Sequence, residues 1–473
     1  MLLNNSYISL PERFYAEVEP AGSTAPRLLA WNQALAAELG LQQVSESDEQ
    51  IANWVGGNEL LPGSKPIAMV YAGHQFGNFV PQLGDGRAIL LGDATSSKND
   101  QKYDIQLKGA GQTPYSRNGD GRAALGPVIR EYLVSEAMHR LGVPTTRALA
   151  AVETGEKVLR DSILPGGIIA RVASSHVRVG TFEFFSARND LEGLKHLLDY
   201  VIKRHCPTAA EAESPALAFY TEVVERQAAL IAHWMDVGFI HGVMNTDNMA
   251  VSGETIDYGP CAFMDEFKYD KVFSSIDRYG RYAYSEQPTI AQWNLARLAE
   301  CLLRIDGNQP AYVEQLGRFE KVFRQHYLRR MTRKLGLKEA RPGDEKLVTG
   351  WLKHLEKNLL DFTLSFRALA DRLVANDDAL EFGEFEQQWK KRVLEQEQSG
   401  EQIREAMNAV NPLYIPRNHQ IERAIDGAIQ GDLSVFKELQ EVLGEPFTEQ
   451  KRFAAYAETP AKDERVYQTF CGT

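Results

Sequence analysis

From residue 66 to about 185 the chain is built from short apolar runs, IAMVYAG, RAILLGD, YDIQLKG, ALAAVET and GIIARVAS, punctuated by Gly and Asp. Runs of that length and texture predict β-strands joined by turns. One segment breaks the rhythm. GPVIREYLVSEAMHRLG has apolar residues at 129, 133, 137 and 141, Pro127 near its start and Gly142 at its end, which predicts a helix. Beyond residue 190 the period lengthens, and amphipathic helices are predicted over 191–205, 214–237, 289–305, 310–335 and 345–374. Strands with one inserted helix, followed by helices, predict an α+β fold rather than a βαβ repeat. The expected division is an N-terminal extension (1–65), a strand-rich nucleotide-binding lobe (66–188), a helical lobe (189–394) and a polar C-terminal extension (395–473).

Composition narrows the class. A chain of 473 residues supports two or three domains and a large core. Its net charge of −12 argues against nucleic acid as a partner, which needs concentrated Lys and Arg. The first twenty residues have neither a basic-then-apolar leader nor an Arg-rich transit pattern, and no apolar run is long enough to span a bilayer. Cys206, Cys261, Cys301 and Cys471 are too few and too scattered for a disulfide framework or a zinc site. A cytoplasmic protein with no membrane partner is expected.

The candidate chemistry centres on HGVMNTDNMAVSGETIDYG, His241–Gly259. A kinase loop places a catalytic Asp shortly after a His, an Asn about five residues on, and then an Asp-aromatic-Gly triplet. Asn248 and Asp257 stand at those places, as hard oxygen donors suited to Mg²⁺ or Mn²⁺ on phosphates. The catalytic Asp is missing. Its position, two after His241, holds Val243, while Asp247 is acidic where such a kinase needs no acid. This order of motifs turns the α+β expectation into a two-lobed protein-kinase-like fold.

Other pieces fit a phosphate site. Gly84 and Gly86 flank Asp85 in a predicted hairpin turn whose backbone can approach a phosphate, and Arg87 follows it. Strand alternation places Asp104, Gln106 and Lys108 on one face, with Lys108 beside a glycine turn. Glu131 and Glu136 of the inserted helix are candidate partners for Lys108. They point about 140° apart, so one Lys does not meet both, and spacing alone does not choose. Asn118-Gly119-Asp120-Gly121 is a turn able to present N–H groups and Asp120 to a nucleotide. Arg171 and Arg178 are seven apart, so they share a site only if the chain turns between them, near Ser174-Ser175-His176.

Taken together, YAGHQFGNFVPQLGDGRA, QLKGAGQTPYSRNGDGRA, REYLVSEAMHRLGVPTTRALA, HGVMNTDNM, DYGP, YIPRNHQIE and TFCGT resemble the selenoprotein O family of protein adenylyltransferases, over nearly the whole chain. The resemblance implies a kinase-like enzyme that binds ATP in a flipped orientation and transfers AMP to Ser, Thr or Tyr hydroxyls of proteins. It assigns Gly84, Gly86, Arg87, Lys108, Asp120, Gly121, Arg171, Arg178 and Asp257 to the nucleotide. Asp247 becomes the proton acceptor, Asn248 and Asp257 the ligands of Mg²⁺ or Mn²⁺, and Glu131 the partner of Lys108. Uridylyl transfer from UTP, phosphoryl transfer to a small molecule and a non-catalytic nucleotide-binding scaffold are the competing readings. Family members can pair the C-terminal Cys with a Cys after the metal-binding Asp. Here Phe273 stands at that place, so the resemblance does not decide whether Cys471 takes part in such a bridge, and Cys261 is expected to be a small buried residue.

Overall fold

A computed structural model describes residues 2–42, 47–375 and 381–470. The strands are β1 (Tyr15–Glu17), β2 (Arg27–Trp31), β3 (Ile67–Met69), β4 (Gly73–Gln75), β5 (Asn78–Val80), β6 (Ala88–Thr95), β7 (Lys102–Lys108), β8 (Ala123–Ala124), β9 (Arg147–Leu159), β10 (Ile163–Ala173), β11 (Phe239–Ile240) and β12 (Ala262–Phe263). The main sheet has the order β1-β3-β6-β7-β10-β9-β2, with β8 added on β10 and every pairing antiparallel. The first 65 residues supply both ends of it, since β1 and β2 are the outermost strands. From Val179 onward the described chain is mainly helical, so the α+β expectation holds.

The inserted helix, Leu125–Arg140, lies against β9 and β10. Twelve of its sixteen residues are buried, so it is covered on most of its circumference rather than along one stripe. Its outer side meets the helix Asn418–Ile429, where Arg130 pairs with Glu422 and Ile425 lies against Gly126. Among the described residues, no helix is long and apolar enough to cross a membrane.

Two expectations change. The segment 345–374 is two helices, Asp344–Asn358 and Phe362–Asp371, because Leu359 adopts a left-handed conformation (φ 53°) and Asp361 caps the second helix through Leu364 N at 2.7 Å. The segment around Gly84 and Gly86 is not a hairpin. β5 pairs with β4 and β6 with β3, so the two strands flanking this segment lie in different sheets. The connection instead runs beside β3, with Leu83 N donating to Tyr71 O and Asp85 N to Met69 O, both at 2.9 Å.

At the other end of the chain, Thr469 N donates to Phe273 O at 2.8 Å and its hydroxyl to Pro260 O at 2.5 Å. The tail therefore runs beside the segment that follows Asp257. Phe273 and Cys261 are buried, and Cys471 lies outside the described residues.

Candidate functional site

Antiparallel pairing of β7 with β10 sets Arg171 opposite Gln106 and Ile169 opposite Lys108. Directly opposed residues share a face, so Gln106, Lys108 and Arg171 all project to one side of the sheet. That side closes over a cavity of about 850 Å³ lined by residues of the sheet, the inserted helix and the loops 243–248 and 257–260. β10 ends at Ala173. The chain then turns through Ser174–Val177 and brings Arg178 to the start of the helix Val179–Ala187, which returns it to the same cavity.

Asp257 is the meeting point. Its Oδ1 accepts from Lys108 Nζ at 2.9 Å and Arg171 Nη1 at 2.7 Å, and its Oδ2 from Arg178 Nη1 at 2.5 Å. Burial alone would raise its pKa, but Lys108, Arg171 and Arg178 hold it well below the usual carboxylate range. Its backbone is left-handed (φ 63°), a conformation uncommon outside Gly, Asn and Asp and costing about 1–3 kcal/mol. Three cations on one carboxylate fix the side chain despite that cost.

Glu131 completes the network, accepting from Lys108 Nζ at 2.7 Å and Arg171 Nη1 at 3.2 Å. Glu136 points away, where it holds Arg147 at 2.7–2.8 Å and Ala148 N at 2.9 Å. Two supporting residues escape the sequence argument. Gln106 Oε1 accepts from Arg171 Nε at 2.8 Å, while its Nε2 donates to Asp85 Oδ2 at 3.0 Å. Asp85 in turn sits 3.9 Å from Arg178, so one buried carboxylate braces both arginines. The signal for Gln106 was available, since it shares a polar strand face with Lys108.

Asp247 lies on the turn Thr246–Asn248, at the cavity wall. Gln75 Nε2 donates to its Oδ2 at 3.3 Å, and its Oδ1 is buried with no hydrogen-bond partner. Burial pushes the carboxyl up to about 6, against the opposing pull of Arg178. Val243 is buried, and its carbonyl accepts from Asn248 Nδ2 at 2.9 Å, which leaves Asn248 Oδ1 as the amide's donor atom toward a ligand. Thr246 is held by Glu183, whose other oxygen lies 2.5 Å from His74 Nδ1.

Gly73 is required by packing. A Cβ there would stand 2.6 Å from Asp247 Oδ1 and 3.0 Å from Asp247 Cβ. Gly73→Ala is therefore expected to displace the carboxylate and cut turnover by about 10²-fold, a magnitude typical of small misplacements of reacting groups. Nucleotide affinity should stay within a factor of about two, since the displaced side chain is bonded to Gln75 and not to Lys108, Arg171 or Arg178. Initial rates and equilibrium titration on the same preparation check the two halves.

The remaining expected residues line the same cavity from other sides. Gly84 (φ 82°) and Gly86 are there, but a Cβ on Gly84 would meet the Tyr115 ring at 2.5 Å. Its lack of a side chain is thus explained by Tyr115 packing. Arg87 also lines the cavity. Asp120 is clamped by Arg160 at 2.8 and 3.1 Å, and Gly121 (φ 67°) abuts the Gly111 backbone.

Asn248 and Asp257 fit a hard divalent cation. Both line one cavity, and Mg²⁺ commonly takes one or two protein ligands with phosphate and water. Asp257, whose oxygens here accept from Lys108, Arg171 and Arg178, would exchange one of those contacts for the metal. Among the described residues, no group of three or more His, Cys, Asp or Glu is arranged to hold a metal by itself. The donor set therefore suits a metal that arrives with a nucleotide.

Comparison with known proteins gives one consistent result. The profile of the family described as protein adenylyltransferase SelO matches residues 2–444. The chain is 53% identical over 488 residues to the protein nucleotidyltransferase YdiU of Nitrobacter hamburgensis, covering 99% of this chain and 96% of that protein. It is 52% identical to the protein of the same name from Bradyrhizobium diazoefficiens (99% and 98% covered) and 53% identical to that of Rhodopseudomonas palustris strain CGA009 (99% of both).

Proposed function

Since the chain belongs to the SelO family of protein adenylyltransferases, we propose that it transfers AMP from ATP to Ser, Thr or Tyr hydroxyls of other proteins. In this reading residues 66–188 and 189–394 are the two lobes of a kinase-like fold, with 1–65 and 395–473 as extensions to them. ATP enters reversed relative to a kinase, so that its α-phosphorus faces the acceptor. The enzyme works in the cytoplasm, in keeping with its few, scattered cysteines.

One observation carries the reading: the carboxylate beside the cation cluster with an unpartnered buried oxygen is Asp247, while the kinase base position is the aliphatic Val243. The acceptor oxygen attacks the α-phosphorus and forms the new P–O bond. Its proton passes to Asp247. The bond between the α-phosphorus and the bridging oxygen breaks, and pyrophosphate leaves with the electron pair. Lys108, Arg171 and Arg178, which converge on Asp257, are the cations on hand for the charge that develops there. Asn248 and Asp257 would hold Mg²⁺ or Mn²⁺, which supplies further neutralisation of the phosphates.

Uridylyl transfer remains the second reading, favoured by the broader name nucleotidyltransferase carried by the curated relatives. Mass spectrometry of an acceptor protein after incubation with ATP, and in parallel with UTP, separates the readings. An AMP adduct from ATP is expected to predominate. A UMP adduct formed faster from UTP would replace adenylyl by uridylyl transfer, and a phosphate adduct would reject both.

A further inference from the structure

Outside the nucleotide cavity, a second charged feature borders Asp247. The hairpin of β4 and β5 carries Gln75, which holds Asp247, and two residues later Gly77, where a Cβ would lie 3.7 Å from the Arg281 guanidinium. Arg281 is stacked at 5.0 Å from the Trp293 ring and 5.7 Å from that of Tyr282. Arg297 approaches the same indole, with its guanidinium carbon 4.9 Å from the ring centroid. Arg297 pairs with Glu300 at 2.8 Å, whereas Arg281 has no carboxylate within ion-pair distance among the described residues; the Nε of each is buried without a hydrogen-bond partner.

Arg281 is also held in place. Asp277 accepts from Arg281 N at 2.9 Å and from Tyr282 N at 2.8 Å, which fixes the loop. Tyr282 donates its hydroxyl to Asn245 Oδ1 at 2.6 Å, and the same oxygen accepts from Phe76 N at 3.0 Å. The loop, the hairpin and the turn bearing Asp247 are therefore one hydrogen-bonded unit. Arg281 is not part of the cavity wall, so it is not placed to serve the triphosphate.

We propose that Arg281, flattened on Trp293, is a specificity-determining residue that binds an acidic side chain of the acceptor protein close to the hydroxyl that is modified. The inference rests on the transfer reading above and adds the class of acceptor. Phe76 (φ 50°) and Gly77 (φ 82°) form the tight turn of this hairpin, so the residue beside Arg281 lies within about 7 Å of the one that holds Asp247. An extended acceptor with its hydroxyl at Asp247 then presents to Arg281 a residue about two or three positions away. A guanidinium pre-organised by stacking recognises a carboxylate with its planar fork.

The test uses synthetic peptides with one hydroxyl residue and either Asp or Asn two or three positions from it, with ATP labelled at the α-phosphate. With the parent enzyme the Asp peptide is expected to exceed the Asn peptide about three- to fivefold in kcat/KM, the range of a partly exposed ion pair. Arg281→Gln should erase that preference through KM, and Arg281→Glu should transfer it to peptides with Lys at the same position. ATP affinity, measured separately in each variant, should stay unchanged because Arg281 lies outside the cavity. Equal use of Asp and Asn peptides by the parent, or a preference that survives Arg281→Gln, overturns the acidic-acceptor inference and leaves AMP transfer standing. Absence of α-label from every peptide and protein acceptor overturns the transfer reading, and this inference with it.

Discussion

Asp257→Asn is expected to lower AMP transfer by about a thousandfold or more, the scale on which removing a buried electrostatic partner acts on turnover. The carboxylate faces Lys108, Arg171 and Arg178 at 2.5–2.9 Å, so its loss leaves Lys108 and Arg171 with Glu131, and Arg178 with Asp85 at 3.9 Å, as remaining counter-ions. Breaking a buried ion network in this way costs about 3–5 kcal/mol. The ligand-free variant should therefore melt at lower temperature, and a triphosphate should restore part of that loss by supplying negative charge. The dependence of ATP binding on divalent cation should disappear, since the proposed site loses one of its two protein donors. Thermal melts and ATP titrations with and without Mg²⁺ check both points. Full transfer with unchanged metal dependence would remove Asp257 from the site.

Asp247→Asn separates chemistry from binding. A general base typically contributes about 10²–10⁴-fold, and transfer should fall within that range. ATP affinity should hold, because the Asp247 side chain is bonded to Gln75 and Arg178 reaches its backbone carbonyl, which Asn keeps. Asn keeps the shape of the turn and the contact to Gln75 while removing the proton acceptor. Single-turnover rates beside equilibrium ATP titrations give the two numbers independently. Parallel loss of both would make Asp247 a nucleotide ligand and not a base.

How far these residues were legible in the sequence depends on the physics behind each signal. Lys108 was legible because strand alternation is strict, and the same alternation pointed at Gln106 without naming its role. Arg171 and Arg178 carried the opposite message, that they part company in a straight strand. Their convergence needs the turn after Ala173, which the sequence located but gave no reason to require. The choice between Glu131 and Glu136 was not settled by spacing, and the apolar stripe through 129, 133, 137 and 141 did not settle it either. That stripe has little meaning on a helix buried around most of its circumference, covered by the sheet on one side and the helix Asn418–Ile429 on another. Nothing local in the sequence announces that distant covering helix.

Turns were the least legible. Gly84-Asp85-Gly86 has the composition of a hairpin, yet the adjoining strands pair with β3 and β4 instead. Pairing partners are a tertiary matter that turn composition does not decide. The break at Leu359 was missed for a related reason. A left-handed Leu carries no Gly or Pro signal, and the apolar period continues almost undisturbed into the next helix.

The most direct measurement offers an acceptor protein ATP labelled at the α-phosphate in one reaction and at the γ-phosphate in another. Label is expected to enter protein from the α position alone, with unlabelled protein in the γ reaction and labelled pyrophosphate in solution. Label entering protein from the γ position would mean that the acceptor attacks the terminal phosphate, and the assignment of Asp247 as base for AMP transfer would be contradicted.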